Sequence, residues 1–346
     1  MENIIKEIEK VITPVYLVGG CLRDYLLKQM PHDFDCACPL LPDEIENAIR
    51  KAGRKPYLVG KRFGTIGFKV GTETGYEYVE VTTFRNEQYK EGSRKPEVSF
   101  VKDITADLSR RDFTINALAL RDGNLIDPFN GQEDLKNGII KAVGQPSHRF
   151  KEDPLRMLRA CRFSSQLNFI IEEKTFEAIK QLNYKILEVS KERWMIELDK
   201  LLMTDIPSIG LSCLMESRLL NFMIPELALQ YNYNQNSPYH TLELWEHTKK
   251  VVDNVPKDID LRLAALFHDI GKITVCYINN KNYCNYIKHE LMSGEIVLKY
   301  ASYLKWSNQR RDTIYDLVVN HMKEDSPLRS ADNLGGKTIE DNTLVD

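Results

Sequence analysis

The stretch "VGGCLRDYLLKQMPHDFDCACP" (Val18–Pro39) sets a glycine pair, an arginine and two aspartates within one short span. The run "VYLVGG" leading into it reads as a short apolar strand, and "LRDYLLK" has the apolar spacing of a helix. If His32 to Ala37 is a strand, the side-chain period of two sends Asp33 and Asp35 to one face and Phe34 to the other. Two carboxylates on one face suit a hard cation. Magnesium is held through one or two carboxylates together with the phosphates of a substrate, so the pair reads as a metal clamp for a nucleotide. The same pair fits a polar edge strand or an Asx turn before Pro39, and alone it decides nothing.

The rest of the chain narrows the choice. Its 346 residues are 42% hydrophobic and 28% charged, which predicts a globular protein of about two or three domains. The net charge of −3 excludes a chain coated in basic residues, so any nucleic-acid surface has to be local. No apolar run approaches the roughly 20 residues of a membrane span. The start "MENIIKEIEKVI" reads as an amphipathic helix rather than a signal peptide, so no membrane partner and a cytoplasmic location are expected. The seven cysteines, at positions 21, 36, 38, 161, 213, 276 and 284, match neither a disulfide framework nor paired zinc knuckles and are expected as reduced thiols.

Residues 1–137 mix strand and helix signals, "TIGFKVG" and "YEYVEVTTF" being the strand-like ones, and predict an α+β head. From 138 to 229 helical periodicity dominates. The polar connector "QYNYNQNSPYH" (Gln230–His240) opens a third, helical region over 230–325 that holds most of the histidines. Residues 326–346 lack an apolar period and are expected to form a flexible tail.

Four segments carry chemistry. Gly19 and Gly20 lie between a strand and a helix, where backbone N–H groups can approach a phosphate and Arg23 adds a forked donor; a tight structural turn would look the same. Glu80, in "VEVTTFR", is a carboxylate inside a strand pattern, either facing solvent or beside the metal. In "RRDFTINALAL" (Arg110–Leu120) the polar entrance Arg110, Arg111, Asp112 and Asn116 precedes an expected apolar helix, and Arg111 is a candidate phosphate clamp. In "RFKEDPLRMLRACRF" (Arg149–Phe163), counting 100° per residue from Asp153, Met157, Cys161 and Leu158 share one side while Arg156, Arg159 and Arg162 share the other with Glu152. Between Lys141 and Phe163 six basic residues oppose two acidic ones, as an anionic ligand would require; a solvated face with i,i+4 pairs is the plain alternative.

Taken in order, "GGCLRD", "DFDCA", "EVTTFR", "RRDFTINALAL", "DPFNGQEDL", "EDPLRMLRACRF" and "ERWMIEL" (Glu192–Leu198) resemble the class II tRNA nucleotidyltransferases, the family of CCA-adding enzymes and bacterial poly(A) polymerases. The resemblance spans about residues 14–228. It implies a polymerase-β-like head, a helical neck that selects the incoming nucleotide, and further helices that hold the 3′ end and acceptor arm of tRNA. It also implies that Asp33 and Asp35 bind Mg2+, one ion activating the 3′-hydroxyl of the tRNA and one holding the triphosphate. Gly20, Arg23, Arg111, Arg159 and Arg162 match positions that touch the nucleotide, with Gly19, Asp112 and Asn116 beside them. Asp153 and Arg156 match the pair that reads the Watson–Crick edge of CTP and ATP. Members that add only CC, only A, or all of CCA share these motifs. CC-only members shorten the loop that is full length here (Asn86–Ser109), while A-only addition and poly(A) synthesis stay open.

"HTLELWEHTKKVV" and "LRLAALFHDIGK" resemble an HD domain, with His247, His268 and Asp269 at its metal-ligand positions and His289 and His321 as possible further ligands. No fourth aspartate is assignable from the sequence, so a structural HD fold is expected ahead of a working phosphohydrolase. A metal-dependent phosphohydrolase that uses the head as an RNA-binding module is the rival enzyme, and a silent, RNA-binding head the non-catalytic one.

Overall fold

A computed structural model describes residues 2–31, 33–72, 75–88, 97–238 and 241–336. The chain divides into two compact units, Met1–Asp153 and Pro154–Asp346. The break lies beyond the expected boundary at 137 because the segment after it still belongs to the head. Phe113 bridges Ala142, the Val143 N–H donates to the Asp112 carbonyl, and Val143 joins the core cluster of Val18, Ala37, Phe84 and Leu108.

The head is built on strands β1 (Tyr16–Val18), β2 (Phe34–Cys38), β3 (Thr65–Thr72), β4 (Gly75–Thr83), β5 (Arg85–Gln88), β6 (Glu97–Phe100), β7 (Ala119–Arg121) and β8 (Asn124–Ile126). Six of them form one sheet in the order β3-β4-β2-β1-β7-β8; β5 and β6 pair separately as a ribbon. Pairing is antiparallel except between β2 and β4, where Asp35 stands opposite Glu80. The strand that carries the aspartates starts at Phe34, leaving Asp33 just ahead of it and Asp35 as its second residue. Buried Phe34, Cys36 and Cys38 hold it to the core, so strand alternation turns Asp35 to the opposite face, where the residue keeps some solvent access while its carboxyl is crowded in beside the Gly19 turn, Arg111 and Glu80.

"NALAL" is not the expected helix. Thr114–Asn116 is a single 3-10 turn, and Ala119–Arg121 is a strand that lies beside β1 with Val18 opposite Ala119. Short apolar runs do not separate strand from helix by pattern, and here burial of Leu118 and Ala119 in the sheet decides.

The second unit is helical. The helix Leu155–Leu167 packs on Lys191–Leu202 and Pro207–Glu216, and Leu244–Asn254 packs on Ile259–Phe267. Trp194, Trp245 and Phe267 are fully buried anchors. The expected tail is ordered through 336. Arg329–Gly336 is a helix packed on Leu244–Asn254, and Leu328 and Ala331, three residues apart, are the buried anchors the composition obscured. Residues 337–346 lie outside the described set, as do 89–96 of the loop noted above and His32 of the proposed strand.

The reduced-thiol expectation holds for five cysteines and fails for two. Cys21, Cys36, Cys38 and Cys161 are buried thiols and Cys213 is a half-buried one. Cys276 and Cys284 form a disulfide with Cα atoms 5.6 Å apart, because Tyr277–Ile278 and Cys284–Asn285 pair antiparallel and bring the two residues together. No described helix is long and apolar enough to cross a membrane.

Candidate active site

The sheet brings separate motifs of the head to one place. Antiparallel pairing of β1 with β2 and with β7 sets the end of β1, where Gly19 begins, beside the start of β2 and the start of β7. Parallel pairing of β2 with β4 adds Glu80. Gly19 has φ +72, a conformation that favours glycine. A Cβ built on it would lie 2.9 Å from Arg111 Nη1 and 3.7 Å from Asp35 Oδ2, so the guanidinium and the carboxylate converge over this backbone.

Burial pushes Asp35 above the usual carboxylate range; Arg111 opposes that shift, and Glu80 and Asp33 add to it. An acid crowded by two others at the end of a sheet is a cation site in its charge pattern. The donors are all oxygen, which suits Mg2+. The donor atoms of Asp33, Asp35 and Glu80 do not all lie within 4.8 Å of one another.

The residues around the turn are locked from behind. Arg23 is buried in the helix Gly19–Leu26, its Nη2 2.6 Å from Asp24 Oδ1 and its Nη1 donating to Asn116 Oδ1 at 3.0 Å. Asn116 in turn donates to Asp112 Oδ1 at 3.1 Å, and that oxygen also accepts from the Phe113 N–H. Both Asp112 and Asn116 are buried, and these bonds tie Arg23 to the segment that carries Arg111. Arg111 Nη1 donates to the Asn116 carbonyl at 3.4 Å, and its Nη2 lies 3.3 Å from Asp107 Oδ2.

Sequence reasoning missed Asp107. It is buried, 2.8 Å from Arg110 Nη2, and accepts from the Arg85 N–H. Burial works against its charge, but Arg110 and Arg111 outweigh that and hold its carboxyl below the usual range. The i,i+4 spacing of Asp107 and Arg111 was the available signal. Asp107→Ala should destabilise the chain by roughly 3 kcal/mol at neutral pH, since it leaves two largely buried guanidinium groups without their shared partner. The depressed folded pKa fixes the sign of the pH effect. The contribution is fully present above the unfolded carboxylate pKa and is lost as pH falls through the lower, folded value. Urea unfolding of both proteins at neutral and acidic pH measures this, and equal stabilities at neutral pH would refute it.

The arginine helix departs from its expected form. The helix starts at Leu155, and Asp153 is an extended residue (φ −141, ψ 100) closing Pro146–Glu152. Pro154 forces this, because the residue before a proline is pushed out of the helical region. Asp153 therefore does not share a helical wheel with Arg156, Arg159 and Arg162. Nor are those arginines a solvated stripe. Arg156 and Arg162 are buried, and Arg162 Nε lies 2.6 Å from Glu197 Oε2 and its guanidinium 3.8 Å over the Phe163 ring. Arg159 Nη1 is 3.6 Å from Glu197 Oε1. Glu197, buried in Lys191–Leu202, is the second residue missed, although it lies in the quoted "ERWMIEL".

In the third region the structure gathers His247, His268, Asp269 and a fourth ligand, Asp332, with all donor atoms within 4.8 Å of one another; Asp269, His289 and His321 form a second such group. Asp332 comes from the helix assigned to the tail. His268 Nδ1 donates to the Ala265 carbonyl at 2.7 Å, which turns Nε2 toward the cluster. Burial disfavours a charged His247, yet Asp269 and Asp332 outweigh it and push the ring up to about 9. Burial and His268 bring His321 down to about 4. Asp269 is held well below the usual range, burial opposing and His268 and Lys272 prevailing. A cavity of about 1010 Å3 opens onto Asp269, Asp332 and His289, with Lys272, Lys281 and Arg329 in its walls.

Residues 15–141 match the poly A polymerase head domain, 168–230 the probable RNA and SrmB-binding site of polymerase A, and 239–342 the HD domain. The chain is 42% identical over 222 residues to the CCA-adding enzyme of Streptococcus agalactiae, covering 64% of this chain and 53% of that one. It is 37% identical over 260 residues to the CCA-adding enzyme of Staphylococcus epidermidis, covering 75% and 62%. The chain thus spans about half the length of the curated relatives it matches. The crystal structure of the Bacillus stearothermophilus CCA-adding enzyme in complex with CTP superposes with a TM-score of 0.60 at 28% identity, over 95% of this chain and 76% of that one.

Proposed function

We propose that this chain, a member of the family of CCA-adding enzymes and poly(A) polymerases, adds nucleotides from CTP and ATP to the 3′ end of tRNA with release of pyrophosphate, completing CCA. The observation that carries this reading is the meeting of Asp35 and Arg111 over the Gly19 turn, with Glu80 opposite Asp35 on the neighbouring strand. Asp33 and Asp35 would hold Mg2+, which when bound neutralises the triphosphate and polarises the attacking hydroxyl. The chain's own groups do the rest. Backbone N–H groups at Gly19 and Gly20 approach the phosphates, and Arg111, fixed by Asp107, meets their charge. Arg23 holds the turn from beneath.

Base choice falls to Asp153 and Arg156, a carboxylate acceptor and a guanidinium donor. CTP and ATP share an exocyclic amino donor beside a ring-nitrogen acceptor, and UTP and GTP reverse that order. Arg159 and Arg162, oriented by Glu197, complete the nucleotide contacts. The tRNA acceptor arm binds a local basic surface, so affinity falls steeply with salt, and such work is placed in the cytoplasm.

The test is incorporation of labelled CTP and ATP onto tRNAs ending at each successive 3′ position. Both nucleotides should enter, in the order C, C, A. Entry of ATP alone onto tRNA ending in CC would make it an A-only enzyme, long A tails a poly(A) polymerase, and no incorporation a silent head.

A second activity is favoured by one observation, the clustering of His247, His268, Asp269 and Asp332, of which Asp269 and Asp332 open onto a cavity walled by Lys272, Lys281 and Arg329. It fits a metal-dependent phosphohydrolase. His268→Ala should remove metal-dependent hydrolysis of a chromogenic phosphate ester and leave nucleotide addition intact; hydrolysis that persists would place its site elsewhere.

A further inference from the structure

The cavity beside Asp269 owes part of its wall to a covalently closed hairpin. Tyr277–Ile278 and Cys284–Asn285 are joined by two residue pairs, and Asn279, Lys281, Tyr283, Cys284 and Asn285 all line the cavity. A two-stranded hairpin is marginal in water unless a hydrophobic face packs on a core, and here Tyr277, Ile278 and Tyr283 are exposed. Its ties to the connector before it are polar. The Cys284 N–H donates to the Asn236 carbonyl at 2.8 Å, Asn236 Nδ2 donates to the Asn282 carbonyl at 2.9 Å, and the Tyr286 hydroxyl donates to the Gln235 carbonyl. The Cys276–Cys284 disulfide closes the ribbon at its ends, eight residues apart in sequence. One end follows the helix Lys272–Val275, whose Lys272 Nζ is 2.7 Å from Asp269 Oδ2; the other leads to His289, first residue of His289–Tyr303.

The remaining thiols compete poorly for redox chemistry. Burial pushes Cys21 and Cys38 up to about 12 and raises Cys36, Cys161 and Cys213, so few thiolates form there. Cys276 and Cys284 are half-buried, within reach of a small thiol.

We propose that Cys276 and Cys284 are a reversible dithiol–disulfide site that orders or releases the hairpin wall and so sets how tightly the cavity holds an anionic ligand. This rests on the reading of the cavity as an anion site and requires no hydrolysis there. Oxidation runs by exchange with a low-molecular-weight disulfide. The thiolate of one cysteine attacks a sulfur of that disulfide and expels one thiolate; the second cysteine attacks the mixed disulfide, closes the Cys276–Cys284 bond and expels the other. The two cysteines lose two electrons, and the small disulfide gains them and the two cysteine protons to leave as two thiols. In the closed form Lys281 stands at the cavity with Lys272 and Arg329. Reduction frees the segment that carries it.

The test places the full chain in reduced and in oxidised glutathione buffers, counts free thiols by alkylation and mass spectrometry, and follows hydrogen exchange over residues 277–283. The bond should form and break reversibly, and exchange should run about ten- to a hundredfold faster in the reduced chain. The Kd for inorganic phosphate should rise about two- to fivefold on reduction, as expected for loss of a surface cation. Cys276→Ser with Cys284→Ser should behave as the reduced chain in both buffers; the unmodified chain gives the same reading without any variant having to fold. Thiols that stay free in the oxidised buffer, or equal exchange in the two states, would overturn the redox site. Faster exchange with an unchanged Kd would overturn its control of the cavity. Phosphate bound in neither state would overturn the anion-site reading and the control of affinity with it, while thiol counts and exchange still judge the cysteine pair.

Discussion

Asp35→Ala and, separately, Asp33→Ala should leave no measurable incorporation of CTP or ATP in the presence of Mg2+, while tRNA binding changes by no more than a few fold. The two readouts part because they draw on different groups: RNA affinity comes from basic contacts with phosphates, and the carboxylates contribute nothing to it. Stability gives an independent check. Burial and two neighbouring acids push the Asp35 pKa up, so its ionised form is disfavoured in the folded chain. Asp35→Asn should therefore melt no lower than the unmodified protein while being equally inactive, the signature of a group placed for chemistry at a cost to the fold. Substantial turnover in both alanine variants would remove the metal-pair assignment. A lowered melting point in Asp35→Asn would instead make the residue structural.

How much of this was legible in the sequence depended on the range of the interaction. The alternation that turns Asp35 to the face opposite buried Phe34 was readable because it is local, whereas Asp33 falls just ahead of the strand expected to hold it. Whether Glu80 faces solvent or stands beside Asp35 stayed open in the sequence, since it depends on the parallel register of β2 with β4 and the residues between them choose no partner by pattern alone. Asp153 was misplaced on a helical wheel although Pro154 announced the break. For the arginine stripe the sequence left an anionic ligand and a solvated face open, because its structural counter-charge, Glu197, stands on another helix. Asp332 shows the same limit. A ligand set drawn from three separate segments has no single spacing signature, and its last member sits in a stretch whose buried apolar anchors, among the described residues, are Leu328 and Ala331. The Cys276–Cys284 pair was lost for the opposite reason, an odd cysteine count that masked a local hairpin.

The base-choice assignment makes the least generic demand on the molecule. If Asp153 accepts from the exocyclic amine of C or A and Arg156 donates to the adjoining ring nitrogen, truncating either side chain leaves a base polar group unpartnered in a closed site. Such a loss costs about 1–3 kcal/mol for the permitted bases, and the mismatch that penalised UTP and GTP disappears with it. Discrimination should then fall by roughly ten- to a hundredfold. The metal carboxylates are untouched, so kcat for the weakened CTP and ATP reactions should drop far less than in Asp35→Ala. Both alanine variants need a folding control, because Arg156 is buried and Asp153 stands at the junction of two helices ahead of Pro154. The measurement is kcat/KM for all four nucleotides on a tRNA primer with the unmodified protein, Asp153→Ala and Arg156→Ala. An equal fall for all four would mean that the pair only holds the backbone around Pro154 or the phosphates, and selection by a protein template would have to be abandoned.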